Sequence, residues 1–190
     1  MSVCVLDLLV SSILGRPSAT STLRSELGSD FINTIQQSDR MDVCLLASYR
    51  IADIMDEISN KLYGEKAVST DAAEQLLRKL EQWSDELPDT LRASSILMYP
   101  HAQEHTIGSL NVACLYYFAV TLVTRPFLIS TLTARVASLR QSLLEKPPIQ
   151  EDPVHAQLAS ACVDSAIYLV QTCLDVHKAD MLLENMCIMK

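Results

Sequence analysis

Turn formers are scarce in this chain. Glycine occurs 4 times and proline 7 times in 190 residues, together about half the share of an average globular sequence. That leaves too few chain reversals for a many-stranded β architecture. A basic excess is also missing, since 15 Lys and Arg stand against 23 Asp and Glu for a net charge of -8. Phosphate backbones are gripped mainly by cationic side chains, so no direct nucleic-acid contact by this segment is expected. The six cysteines, Cys4, Cys44, Cys114, Cys162, Cys173 and Cys187, contain no C-x-x-C pair. Neither a zinc knuckle nor a small disulfide framework is legible in them. Four lie at apolar helical positions, where a free cysteine behaves as a small hydrophobe, which fits a reducing compartment. The glycines Gly15, Gly28, Gly64 and Gly108 are isolated and no G-x-S-x-G string occurs, so a glycine-rich phosphate loop and a serine-hydrolase elbow are both excluded. The start MSVCVLDLLV has no basic segment and carries Asp7, unlike a secretory leader.

Apolar residues are abundant. They make up 49% of the chain, with 28 leucines, which is the opposite of a disordered composition. A chain of this length can bury roughly 70% of its unfolded surface. The acidity is concentrated, because residues 26–89 hold 14 acidic and 6 basic side chains and so account for the whole net charge. The expected fold is all-α, an irregular bundle of about six to eight helices without a sheet, forming one unit over residues 1–190.

Six segments repeat apolar residues at helical spacing. The first runs through Val3, Leu6, Val10 and Ile13 and is ended by Gly15 and Pro17. A second carries Cys44, Ala47, Ile51, Ile54, Ile58 and Leu62, with Gly64 as its stop. The third opens at Ser69, Thr70 and Asp71, with Asp71 and Glu74 spaced as a capping box. It continues through Leu76, Leu80, Trp83 and Leu87 to Pro88. The short connection predicts that the second and third helices pack antiparallel. A fourth helix passes through Ile107, Leu110, Cys114, Tyr117 and Thr121 and is predicted to end at Pro126, which disfavours the helical state at Arg125. A fifth follows through Leu128, Leu132, Val136, Leu139 and Leu143, and a sixth through Leu158, Cys162, Ala166, Leu169, Cys173 and Val176. Residues 106–124 contain no charge. Their polar residues and the lack of a one-sided basic flank point to a buried central helix rather than a membrane span.

One string has the form of a catalytic motif. His101-Ala102-Gln103-Glu104-His105 fits H-x-x-E-H, in which two imidazoles one turn apart hold zinc and the glutamate activates water. A third ligand would have to come from an acid such as Asp164, Asp175, Asp180 or Glu184. The favoured reading is a solvated first turn of the central helix. No catalytic residue, metal or cofactor is therefore assigned to this chain, with His101, Glu104 and His105 kept as the metal candidates. For the two Arg-Pro steps, at Arg16-Pro17 and Arg125-Pro126, the favoured role is a helix terminus whose arginine satisfies carbonyls or pairs with an acid. Trp83 is expected in the core.

These landmarks, in this order, resemble the fungal-specific transcription factor domain, the middle homology region of fungal zinc-cluster transcription factors. Val5-Leu6-Asp7, Ser11-Ser12 and Leu14-Gly15-Arg16-Pro17-Ser18-Ala19 are similar to its opening signature. Leu76, Leu80, Trp83, Leu87-Pro88 and Leu91 resemble its leucine, tryptophan and Leu-Pro element. Leu122, Arg125, Pro126, Phe127 and Leu128 match its Arg-Pro-Phe-Leu step, and Ala161-Cys162-Val163 with Ala166 is similar to its Cys-Val helix. Leu8 and Ser165 depart from the pattern, as do residues 20–40, which lack the family's proline-containing acidic segment. The resemblance implies an all-α regulatory domain, truncated at both ends, of a nuclear regulator of RNA polymerase II transcription. The zinc and DNA binding of such a factor belong to an N-terminal cluster outside this chain. Expected partners are proteins or the factor's own DNA-binding and activation segments, with no membrane, and a small effector would contact Arg16 and Arg125. The alternatives are a stand-alone helical module that sequesters partners of such a factor, and the H-x-x-E-H metalloenzyme.

Overall fold

The computed structural model describes residues 41–63, 69–91, 103–142 and 152–178, together with positions 6, 7, 10, 11 and 19. The described residues form four α-helices and no strand: α1 (Met41–Ile58), α2 (Thr70–Asp85), α3 (Gln103–Ser142) and α4 (Pro153–Lys178). A wide π turn, Ser59–Tyr63, extends α1, and a 3-10 turn, Asp89–Leu91, follows α2. The fold is therefore all-α, as the scarcity of turn formers requires. Four helices rather than six to eight are described, for two reasons. Most of the first predicted helix lies outside the described residues, and the fourth and fifth predicted helices are one.

That fusion corrects the reading of Pro126, which sits inside the 40-residue α3 instead of ending it. A proline has no N–H to give the carbonyl four residues back, and the loss ordinarily kinks or breaks a helix. Here side chains supply donors around the step. Tyr63 Oη donates to the Leu122 carbonyl at 2.9 Å and Thr124 Oγ1 to the Val120 carbonyl at 2.7 Å. The Cys162 thiol faces the Thr121 carbonyl at 3.9 Å. Val123, Thr124 and Phe127 are fully buried around the proline, so tertiary packing holds a conformation that local preference disfavours.

Local chemistry explains the other helix ends. The cap of α2 is Ser69, whose backbone is extended and whose side-chain hydroxyl accepts the Ala72 N–H, while its carbonyl accepts the Ala73 N–H. The capping role read for Asp71 is corrected accordingly, since Asp71 already lies in the first helical turn. Asp152 caps α4 through a 2.9 Å bond from the Val154 N–H to its carboxylate, with Pro153 at the first helical position, where its missing N–H costs nothing.

The helices pack around α3, which touches α1, α2, α4 and the 3-10 turn. Glu57 pairs with Lys79 and Arg50 with Glu86, a register that makes α1 and α2 antiparallel as predicted. Gly108 lies against Cys44, Asn111 donates to Ser48 at 3.3 Å and Tyr63 reaches Leu122, so α1 runs parallel to α3. Cys173 lies beside Cys114, Cys162 beside Thr121 and His155 beside Phe127, which makes α4 antiparallel to α3. One core results. It joins Ile51, Met55 and Ile58 of α1, Leu76, Leu80 and Trp83 of α2, Val112, Ala119, Val123 and Phe127 of α3, and Leu158 of α4. By length and composition α3 could cross a membrane, and half of its most apolar stretch is buried inside this bundle. Its Ser109 also donates to the Thr90 carbonyl at 2.8 Å.

Candidate functional site

Beyond its core-facing stripe, α4 presents a second apolar face. Val163, Ile167, Val170 and Leu174 recur along it at intervals of three and four and are all substantially exposed. They line an open cavity of about 740 Å³ whose other described wall is Thr121, Arg125 and Leu128 of α3. From Cys162 to Lys178 the groove follows 17 residues of α4, roughly 24 Å at the helical rise. The register puts Arg125 at its Cys162 end. Asp175 and Lys178 stand at the other end, with Gln171 between. Apolar walls with a few polar groups at the ends are the usual make-up of a ligand or peptide groove.

Arg125 is the one effector candidate whose position is described. It is exposed and forms no ion pair among the described residues, which corrects the expectation of a helix-terminal arginine capping carbonyls. The reason is the continuity of α3, which leaves no carbonyl end at that point to cap. Its charge is close enough to Tyr63 to oppose partly the rise in the phenol's pKa that burial causes. Arg16, Gly15 and Pro17 lie outside the described residues, as do His101 and the side chains of Glu104 and His105. Among the described residues, no group of three or more His, Cys, Asp and Glu is arranged to hold a metal.

The remaining motif residues divide between core and surface. Trp83 is buried as expected, stacked on Tyr116 at 6.3 Å, and its indole N–H has no partner among the described residues. Leu87 packs against the core, while Pro88 is exposed and its carbonyl accepts the Leu91 N–H at 2.9 Å. Cys162 is buried and Val163 faces the groove. Leu6 is exposed and Asp7 half-buried.

Two arrangements were not visible in the sequence. An aromatic ladder crosses three helices, from Trp83 through Tyr116 and Tyr117 to Tyr168, with successive ring centroids 6.3, 5.6 and 5.7 Å apart. Burial pushes both Tyr116 and Tyr117 above the ordinary phenol range, helped at Tyr116 by Glu81 and at Tyr117 by Tyr168. Beside this ladder, Cys114 and Cys173 bring their sulfurs to 4.0 Å. Each cysteine was legible as part of its own helix's apolar stripe. Nothing in a single sequence pairs the two stripes in register.

Fold and groove together define an all-α bundle with an open apolar channel along its last described helix. No family model, no curated protein and no solved structure matches the chain.

Proposed function

We propose that this chain is a regulatory and interaction domain of a fungal zinc-cluster transcription factor, acting in RNA polymerase II transcription in the nucleus. The observation that carries the reading is the conjunction of the ordered motifs with a common packing role. Leu76, Leu80 and Trp83 of one motif and Phe127 of another belong to a single buried cluster, and Cys162 of a third closes α4 onto α3 at Thr121. Residues that recur because they hold a scaffold together are what a fold-defining signature should contain. The groove beside α4 then supplies the regulated element. A protein partner, a segment of the same factor or a small effector that binds it favours one packing of α4 over another. The population shifts by the difference in its affinity for the two packings. Arg125 attracts the anionic or carbonyl group of such a ligand.

A reporter assay tests this. The full chain is placed between a heterologous DNA-binding domain and an activation domain, and its output is compared with the same fusion carrying Arg125→Ala. The regulatory reading expects the chain to change reporter output, and the variant to shift that change while the fold is retained by circular dichroism. A chain without effect on output overturns the regulatory role. Unchanged output and stability on replacing both Arg16 and Arg125 by alanine removes the arginine contact.

A further inference from the structure

We propose that Cys114 and Cys173 form an oxidisable dithiol, which a peroxide converts into a disulfide that clamps α4 to α3. The two sulfurs are 4.0 Å apart, about 2 Å more than a disulfide requires. They come from neighbouring antiparallel helices and are separated by 59 residues of chain. The contact lies in the last turns of α4, five residues before Lys178 and far from the end where His155 meets Phe127. Val170 and Leu174, which flank Cys173, are exposed, so a small rotation of the last turns of α4 closes the gap without repacking the core. Both cysteines are half-buried, within reach of a small oxidant. The other described thiols are engaged elsewhere, Cys44 against Gly108 and Cys162 at the Thr121 carbonyl.

The two cysteines have different parts in the reaction. Burial, aided by the neighbouring Cys173, pushes the Cys114 thiol up to about 12, which makes Cys114 the poorer first nucleophile, and Cys173 attacks first. The Cys173 thiolate attacks one oxygen of hydrogen peroxide and the O–O bond breaks. The departing hydroxide takes up a proton equivalent to the one Cys173 gave up and leaves as water, with Cys173 now a sulfenic acid. Cys114 sulfur then attacks the Cys173 sulfur. The S–O bond breaks, the Cys114 proton leaves with the hydroxyl as a second water, and the S–S bond forms. Two thiols have lost two electrons and one peroxide has been reduced to two waters. The product holds in place the helix that forms most of the described groove wall. Nothing in this proposal depends on the transcriptional reading.

The test uses the full chain at low concentration, treated with hydrogen peroxide, alkylated and digested without reductant. The expected product is a peptide pair from one monomer linking Cys114 to Cys173, lighter by two hydrogens than the reduced peptides and separated again by dithiothreitol. Its Tm rises by roughly 5–15 °C, as expected for a link closing a long loop. Cys173→Ser and Cys114→Ser each abolish the product while Cys44→Ser leaves it intact, and the wild-type peptide map stands on its own if a variant fails to fold. Recovery of the two cysteines as separate alkylated or sulfinic peptides, or linked to other cysteines or between chains, overturns the proposal. An oxidised, linked chain whose Tm equals that of the reduced chain overturns the clamp.

Discussion

Tyr63 supplies to the Leu122 carbonyl the hydrogen bond that Pro126, four residues further along α3, has no N–H to give. The phenol comes from the last residue of the π turn at the end of α1, so a defect in one helix is met by an irregular turn of another. Leu122 is 3% exposed. Without the phenol its carbonyl would be an unpaired acceptor, costly to bury.

This pairing predicts a coupled pair of substitutions. Tyr63→Phe removes only the hydroxyl and is expected to cost about 1–2 kcal/mol, because the carbonyl loses its donor. In a Pro126→Ala background the intrahelical N–H returns, so the same Tyr63→Phe should cost less by about 1 kcal/mol. A double-mutant cycle by urea unfolding measures the difference. Equal costs in the two backgrounds would show that the phenol contributes packing alone.

The contrast between α2 and α3 shows how much was legible. In α2 the predicted stripe is Leu76, Leu80, Trp83 and Leu87; the structure buries the first three together with Ala73, and Leu87 lies just past the helix, partly buried. Periodicity therefore located the helix, its inward face and its antiparallel partner. In α3 the local rule that proline ends a helix lost to donors 59 and 41 residues away, at Tyr63 and Cys162. Such distant compensation leaves no mark on the sequence around Pro126. The groove was hidden for a related reason. The predicted stripe of the sixth helix, Leu158 to Val176, does not include Val163, Ile167, Val170 or Leu174, and only the register of α4 against α3 reveals that these remain uncovered.

Gly108 makes a second prediction about close approach. A Cβ there would overlap Cys44 Sγ, because the Cys44 side chain packs directly against α3 at that level. In an unobstructed helix Gly→Ala gains about 1 kcal/mol. Displacing the thiol from its rotamer costs about the same, so Gly108→Ala should be neutral to mildly destabilising. Once Cys44→Ala has removed the sulfur, the same change should stabilise by about 0.5–1 kcal/mol. The sign of the coupling in thermal or urea unfolding decides the matter.

Trp83 is buried while its indole N–H finds no acceptor among the described residues. That unmet donor subtracts from the packing energy of the ring. Trp83→Phe, which keeps an aromatic face against Tyr116 and deletes the donor, should therefore cost less than about 1.5 kcal/mol. Trp83→Ala leaves a cavity and should cost about 3–5 kcal/mol. A phenylalanine variant as damaged as the alanine variant would mean that the N–H is satisfied in solution.

The acidic α1–α2 pair supplies a pH prediction. Glu57 accepts hydrogen bonds from Lys61 and Lys79, and these cations hold its carboxyl below the ordinary value of 4.5 despite some desolvation. A carboxyl whose folded pKa is depressed contributes stability that is fully present above the unfolded-chain value. That stability is lost as the pH falls through the folded value. Both lysines are about half exposed, so solvent screening limits the contribution to roughly 0.3–1 kcal/mol. Glu57→Gln should remove that amount near pH 7 and leave the stability unchanged relative to the wild type once the pH lies well below the folded value. Lys79→Met should flatten part of the same acid limb, because it deletes the one partner that spans the two helices. Urea midpoints between neutral and acid pH give the test, and parallel pH curves for wild type and Glu57→Gln would rule out a linkage through this carboxylate.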